Sequence, residues 1–599
     1  MTSEKDDVSQ RDRPSQSAFE ILRKGIATTP KLKKGLALTA LAAVLSACGQ
    51  LAIPILIRVA IDRGLQPGQQ PRPAFVAISC LVTACIITFV FVLSRLTFLR
   101  LVEMTEGTLF DLRIKAFEHV HRLSIAEHNR SRLGTTVARV TSDVEQLAKF
   151  FEWGGMSWII NGTLLIGIVI VMTAVSWQLT IVALLAFLPV LPLVKWIQKR
   201  QLAAYSMLRT RVGETFGEFS EAISGGQTIR LYGLQKNAKK KLFNAIEIQY
   251  KARMKAVRFF AVLFTLGDVF GAVALSSITV AAVTQHQNWE LELGQVLAFV
   301  FLVTLMTGPI GHLSEILDQT QIALAGWEKI LNLLETPIEI SEPSNGKTLQ
   351  AGPVSVHAAN LSFAYRNGDN VLQDINVSIP AGIKVAIVGE TGSGKTTFAK
   401  LLVRLADPSS GSLKLNNVEM RNVDAQSRRR AARMVPQDGF LFNTDVQTNI
   451  LYGKPSATEA EVVTAVQSLG LEEWVDLLPD GLNTRVGERG ELLSVGERQV
   501  VALIRAQLAD PGLLILDEAT SSVDPRTEKA LTRALYRLAE GRTTISIAHR
   551  LSTAENADLI LVFDGGKVVE QGSHTELLGM KKKYANLHAS WVGNTRLDR

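Results

Sequence analysis

Six long apolar runs constrain this chain more than any other feature. They lie near residues 36–60, 74–98, 157–176, 179–198, 258–284 and 293–313. Each is about 20 residues or longer, enough to cross a hydrocarbon layer of roughly 30 Å at about 1.5 Å per residue. One such run fits a buried core helix, but six do not fit an ordinary soluble domain. In a bilayer every backbone N–H and C=O must be paired within the segment, so the runs are expected to be helices. The third and fourth runs meet at Val175-Ser176-Trp177-Gln178, which reads as a tight external turn. Before the first run, residues 1–16 are polar and poor in large apolar side chains, the composition of a disordered tail. Ala18-Phe19-Glu20-Ile21-Leu22-Arg23 then reads as the start of a short amphipathic helix lying on the membrane surface.

Basic residues set the orientation. Lys31, Lys33 and Lys34 precede the first run. The second-to-third connection carries Arg100, Arg113, Lys115, Arg122, Arg130, Arg132, Arg139 and Lys149. The fourth-to-fifth carries Lys199, Arg200, Arg209, Arg211, Arg230 and Lys239-Lys240-Lys241. The connection from Gln285 to Glu292 has no Lys or Arg. Positive charge concentrates on the cytoplasmic side, so the N-terminus is expected there, and six crossings return the chain to it. The two basic connections, near 99–156 and 199–257, carry helical patterns such as Phe110, Ile114, Phe117 and Val120. Folded as helical hairpins with arms of about 25 residues, they would project roughly 37 Å from the bilayer. The net charge of +8 is explained by these loops, so nucleic acid is not an expected partner. Cys48, Cys80 and Cys85 all fall in apolar runs, which suggests neither a disulfide framework nor a cysteine zinc site.

After about residue 315 the character changes. Pro337, Pro343, Ser344, Asn345 and Gly346 form a breaker cluster. Strands and helices then alternate to about residue 580, the pattern of an α/β domain. Within it lies Gly389-Glu390-Thr391-Gly392-Ser393-Gly394-Lys395-Thr396-Thr397, which fits G-x-x-x-x-G-K-[ST]. Glycines let backbone N–H groups close around phosphate oxygens. Lys395 reaches the β- and γ-phosphates, and the Thr396 hydroxyl suits Mg²⁺. The apolar strand Val385–Val388 precedes the loop, and a helical stretch follows whose N-terminus would face the phosphates. A second apolar strand, Leu513–Leu516, ends in two acids. Asp517 is placed to hold Mg²⁺, and Glu518 to polarise the attacking water.

These motifs, taken together, resemble the ATP-binding cassette (ABC) transporter family. Leu493-Ser494-Val495-Gly496-Glu497-Arg498-Gln499 is similar to the family signature, and Glu518-Ala519-Thr520-Ser521-Ser522-Val523-Asp524 to its Walker B end and D-loop. His549 matches the switch histidine, Val435-Pro436-Gln437-Asp438 the Q-loop, and Thr484–Gly490 an extra loop found mainly in exporters. Tyr365 matches the aromatic that stacks on adenine. The resemblance implies an exporter half-transporter: a six-helix transmembrane domain fused to a cytoplasmic α/β P-loop NTPase cassette with an α-helical subdomain. It also implies that two cassettes sandwich two ATP molecules head to tail. Lys395, Thr396 and Asp517 of one chain would then face Ser494 and Gly496 of the other. Gln437 would touch Mg²⁺, His549 would sense the γ-phosphate, and Asp524 would be among the nucleotide-binding residues. Coupling elements are implied near Ala126–Leu133 and Gly217–Gly225. The signature departs from its commonest form, with Val495 and Glu497 in place of Gly and Gln.

The organisation read from these signals is a tail at 1–16, a transmembrane domain at 17–330 and a linker at 331–350. An ATP-binding cassette follows at 351–590, then a tail at 591–599. The expected protein is a multi-pass protein of the inner or plasma membrane. It acts as a dimer, hydrolyses ATP with Mg²⁺, and moves an amphiphilic drug or lipid out of the cytoplasm. Glu518, His549 and Lys395 are its expected catalytic residues. Three alternatives stay open: one subunit of a heterodimer, an importer on the exporter fold, and a cassette-bearing channel or regulator. Asp268, near the middle of the fifth run, is expected to face a water-filled cavity or a partner helix, because a carboxylate facing lipid costs roughly 2.5–3.5 kcal/mol.

Overall fold

The computed structural model describes residues 18–64, 72–125, 127, 133–285, 287–289, 291–365, 368–517, 525–548 and 551–597. The chain divides into two compact units, one of Met1–His121 with Leu133–Thr336, the other of Arg122–Arg132 with Pro337–Arg599.

Among the described residues of the first unit, six helices are long and apolar enough to cross a membrane: Ala37–Gly64, Pro73–Arg122, Val137–Val175, Trp177–Ser224, Gln235–Gln285 and Leu293–Leu334. The helices outrun the apolar runs. Pro73–Arg122 has 50 residues and Gln235–Gln285 has 51, roughly 75 Å each at about 1.5 Å per residue. Both basic connections are thus helical for most of their length, as the expected hairpin arms required.

The turn at Ser176 forms because its hydroxyl accepts a hydrogen bond from the Leu179 amide at 3.4 Å, capping the next helix. The fourth span is not one uninterrupted helix. It breaks between Trp177–Phe187 and Val190–Ser224, at Pro189. Proline has no N–H to give the preceding turn, and its ring crowds the carbonyl four residues back.

Leu51, Ile168, Met172, Leu179, Ile278, Phe299 and Leu302 form the buried centre of the bundle. Facing outward instead are Leu81, Ile87, Phe89 and Phe91 of Pro73–Arg122 and Ile166 and Ile170 of Met156–Val175. Apolar exposure on that scale suits lipid contact. The short helix Ala18–Thr28 does more than lie on a surface. Its Ile21 is buried in a cluster with Leu109, Leu147 and Trp327, and a Cβ on Gly25 would come within 2.8 Å of the Trp327 ring. Between two spans, Asp62 accepts the Gly294 amide at 2.8 Å and pairs with Arg58 at 3.2 Å.

The second unit holds two sheets. Its strands are β1 (Val356–Ala364), β2 (Asn370–Ile379), β3 (Lys384–Gly389), β4 (Ser410–Leu415), β5 (Val418–Glu419), β6 (Ala432–Val435), β7 (Leu513–Asp517), β8 (Thr543–Ile547), β9 (Leu559–Asp564) and β10 (Lys567–Gly572). One sheet runs β2-β1-β4-β5, all antiparallel. The other runs β10-β9-β3-β8-β7-β6, parallel except for β10. β3 and β7 are buried on both faces, which is why each reads as a continuous apolar run rather than an alternating one. A separate apolar core gathers Val446, Ile450, Val462, Trp474, Leu493, Val500 and Leu503.

The stretch expected as a linker is tied down where it enters this unit. Glu342 accepts from Arg428 at 2.6 and 3.0 Å, and Ser341 accepts through its carbonyl from Arg404 at 2.9 Å. Hydrogen bonding and charge from Arg428, with further charge from Arg404 and Arg429, hold the Glu342 carboxyl below its ordinary 4.5. The stability this tie supplies is therefore complete above the ordinary carboxylate range and is lost as pH falls through the lowered value. Glu342→Ala should leave the Arg428 side chain, only 8% exposed, without its acid. Because Glu342 is itself partly exposed, solvent screening limits the expected loss to about 1–2 kcal/mol. The check is the urea midpoint of the cassette in the full chain at pH 7, and an unchanged midpoint would contradict the role.

Candidate ATP site

The phosphate loop connects β3 to the helix Lys395–Leu402. Its shape needs glycine at several places. Gly389, Gly392 and Gly394 have φ of 151°, 85° and 102°. A Cβ at Gly389 would lie 2.3 Å from the Phe563 carbonyl, and one at Gly394 would lie 2.6 Å from Leu372. Lys395 is 6% exposed, and its Nζ donates to the carbonyls of Gly389 and Glu390, both at 2.8 Å. The lysine is therefore folded over its own loop, its charge fixed where phosphate oxygens would enter. Ser393 is also buried, and its Oγ has no hydrogen-bond partner among the described residues. A buried hydroxyl without a partner beside a fixed ammonium suits an anionic, oxygen-rich ligand.

The sheet order gathers other residues at the same edge. Asp517 ends β7 and is 8% exposed. Gln437 follows β6 by two residues and is exposed, and its carbonyl accepts from Gln499 at 3.4 Å. Both lie at the C-terminal ends of parallel strands, as the phosphate loop does, which is where open α/β sheets bind ligands. Tyr365 follows β1, packs edge-on against Phe363 at 4.8 Å, and its hydroxyl lies 3.4 Å from that of Thr397. Thr396, beside it, is half-buried. The hydroxyl, carboxylate and amide oxygens of Thr396, Asp517 and Gln437 are hard donors of the kind Mg²⁺ takes.

Ser494, Val495, Gly496 and Glu497 sit elsewhere, at the start of the helix Val495–Ala509. Here the departure from the commonest signature has a local reason. Ser494 accepts from the Glu497 amide at 3.3 Å, and Glu497 accepts from the Ser494 amide at 2.7 Å. This is a capping box, and an acid in the first helical turn also complements the helix dipole. Val495 points outward, 39% exposed. Among the expected site residues, Glu518, Asp524 and His549 lie outside the described residues, as do Ala126 and residues 128–132 of the first expected coupling element. The second, Gly217–Gly225, falls where the helix Val190–Ser224 ends. Asp268 lies on an exposed side of the helix Gln235–Gln285.

Two further side chains support the site: Gln499, which ends the signature motif, and Lys583, which carries no local sequence signal. Buried Gln499 links the signature helix to the Gln437 backbone. Lys583 pairs with Glu390 of the phosphate loop at 3.6 Å and with Asp564 at 2.5 Å. The bond and charge of Asp564 raise the lysine's pKa, with Glu390 contributing less.

Comparison with known proteins agrees with this geometry. Residues 36–310 match the ABC transporter transmembrane region and residues 372–521 match the ABC transporter cassette. An ATP-dependent lipid A-core flippase of Legionella pneumophila is 35% identical over 478 residues, covering 80% of this chain and 81% of that protein. A fatty acid ABC transporter ATP-binding/permease protein of Mycobacterium bovis is 33% identical over 487 residues, covering 81% and 77%. The structure of a bacterial Atm1-family ABC exporter with ATP bound superposes with a TM-score of 0.77 at 26% identity, covering 93% of this chain and 98% of that one. The chain belongs to the ABC transporter family, as an exporter-type half-transporter. It is a multi-pass membrane protein whose ATP hydrolysis is coupled to transport.

Proposed function

We propose that two copies of this chain form a pump that moves an amphiphilic molecule, a lipid or lipid-like compound, out of the cytoplasm. The observation that carries the dimer is the division of the site. The phosphate loop is set in the core built around Val385, Ile387 and Phe398. The signature serine is set on the separate core that includes Leu493 and Val500. In the proposed dimer Lys395, Thr396, Asp517 and Gln437 hold Mg–ATP from one side. Ser494 and Gly496 of the second copy present a helix N-terminus to the γ-phosphate from the other. Tyr365 orients the base, and Asp524 and His549 complete the shared interface. Bound Mg²⁺ supplies charge neutralisation at the phosphates; Glu518 orients the water. The capping box that Glu497 makes keeps Ser494 in place beside Val495, which supports a homodimer over a heterodimer.

Lipid as substrate is supported by the named activities of the two relatives and by the outward apolar faces of the spans. The cytoplasmic placement of the N-terminus and cassette is supported by the basic connections and by the location of ATP in the cell. The protein sits in the inner or plasma membrane on this reading. Asp268 is proposed to line the transport cavity.

Expressed alone, the chain should purify as a dimer with ATPase activity. Mass measurement of the detergent-solubilised protein, with its hydrolysis rate, is the check. A monomer that hydrolyses ATP only when a second cassette protein is added would overturn the homodimer.

A further inference from the structure

The end of the cassette carries a cluster that the ATP site does not use. Glu555 closes the helix Leu551–Glu555, His574 opens the helix His574–Gly579, and His588 lies in the helix Lys583–Leu597. One ligand atom from each lies within 4.8 Å of those of the other two. Nε2 of His588 is 3.6 Å from Oε1 of Glu555, close to the separation of about 3.3 Å between ligand atoms around tetrahedral zinc. The imidazole centroids of His574 and His588 are 5.4 Å apart. Nδ1 of His574 is engaged by the Tyr584 hydroxyl at 2.7 Å. That leaves its other ring nitrogen to bind. Tyr584 itself is fully buried.

We propose that Glu555, His574 and His588 form a zinc-class divalent metal site that clamps the C-terminal helix to the body of the cassette. Two imidazoles and one carboxylate are the donor set of open three-ligand zinc sites, with water at the fourth position. Mg²⁺ and Ca²⁺ prefer all-oxygen sets, so they are poor competitors here. The Tyr584 bond fixes the His574 ring from behind, as partners of metal-bound histidines commonly do. Bringing ligand atoms that lie within 4.8 Å of one another to the spacing of about 3.3 Å around one ion would take small movements of the exposed Glu555 side chain and of the histidine rings. The ion would join three helices that are separate in sequence. One of them begins at Lys583, which reaches the phosphate loop through Glu390. The metal site does not depend on the transport reading.

The test uses the full-length, tag-free chain in detergent, stripped with chelator and held in excess Mg²⁺. Zn²⁺ and Co²⁺ are titrated separately. The parent should bind about one Zn²⁺ per chain, and its Co²⁺ form should show the visible absorption of a four-coordinate site. His588→Gln and Glu555→Gln should each weaken binding by at least about 10-fold, and Tyr584→Phe by about 10–100-fold, the usual cost of losing an outer partner. Because Glu555 is exposed, Glu555→Gln keeps the test valid if a histidine variant folds poorly. Zn²⁺ binding of equal strength in the parent and in Glu555→Gln, or no binding by the parent, would overturn the site and leave an ordinary His588–Glu555 surface pair.

Discussion

Lys395→Ala is expected to lower ATP turnover by about 10²–10³-fold, the usual cost of removing one fixed donor from developing charge in a buried site. Nucleotide affinity should fall with it. The side chain is almost fully buried and its ammonium is held by two carbonyls of its own loop. The ammonium is thus already held inside the loop before phosphate arrives. Alanine removes the charge and leaves those carbonyls facing an anion. Phosphate release by the purified variant, with a melting curve showing that the cassette is folded, checks this. A folded variant within tenfold of the parent would contradict the assignment of Lys395.

Glu518→Gln should separate binding from hydrolysis. Glutamine keeps the size and the hydrogen bonding of the side chain but loses the carboxylate that polarises water. Turnover should drop by roughly 10²-fold or more, since general-base assistance is typically worth 10²–10⁴. ATP affinity should be nearly unchanged, because Lys395, Thr396 and Asp517 remain. The variant should accumulate in its ATP-bound, closed dimer, detectable as labelled ATP retained by the purified protein through gel filtration. Retention of more than a tenth of the parent rate would move the catalytic role away from Glu518.

Much of this was legible in the sequence because the physics is local. β3 and β7 announce themselves as apolar runs, since strands buried on both faces cannot afford polar alternation. The long arms follow from helical periodicity continuing past the apolar runs. The break in the fourth span was not anticipated, although its cause is local too. Pro189 stands inside a run that reads as one segment by hydropathy alone, and the missing N–H decides the outcome. Glu497 is a subtler case. Compared with the family pattern it is a departure, but Ser-x-x-Glu is itself a helix-start signal, and the helix uses it.

What was not legible depends on contacts between distant segments. Lys583 and Glu390 meet only because β9 and β3 are neighbours in the sheet. Glu555, His574 and His588 have no motif spacing, and sheet order alone brings their helices together. Glu342 reads as part of a breaker-rich linker, yet two arginines bind that segment to the cassette. In each case the pairing of strands decides the contact, and no window of sequence contains it.

The central claim is that ATP hydrolysis by this chain drives an amphiphile across the bilayer. The most direct measurement places the purified protein in sealed phospholipid vesicles with the cassettes outward. It then follows a head-labelled lipid by its protection from an external quencher. The account predicts ATP-dependent movement of the label to the inner leaflet in the parent, and loss of that movement in Glu518→Gln. Full ATP hydrolysis with no movement of labelled lipid or of any amphiphilic probe, or movement indifferent to ATP, would contradict it.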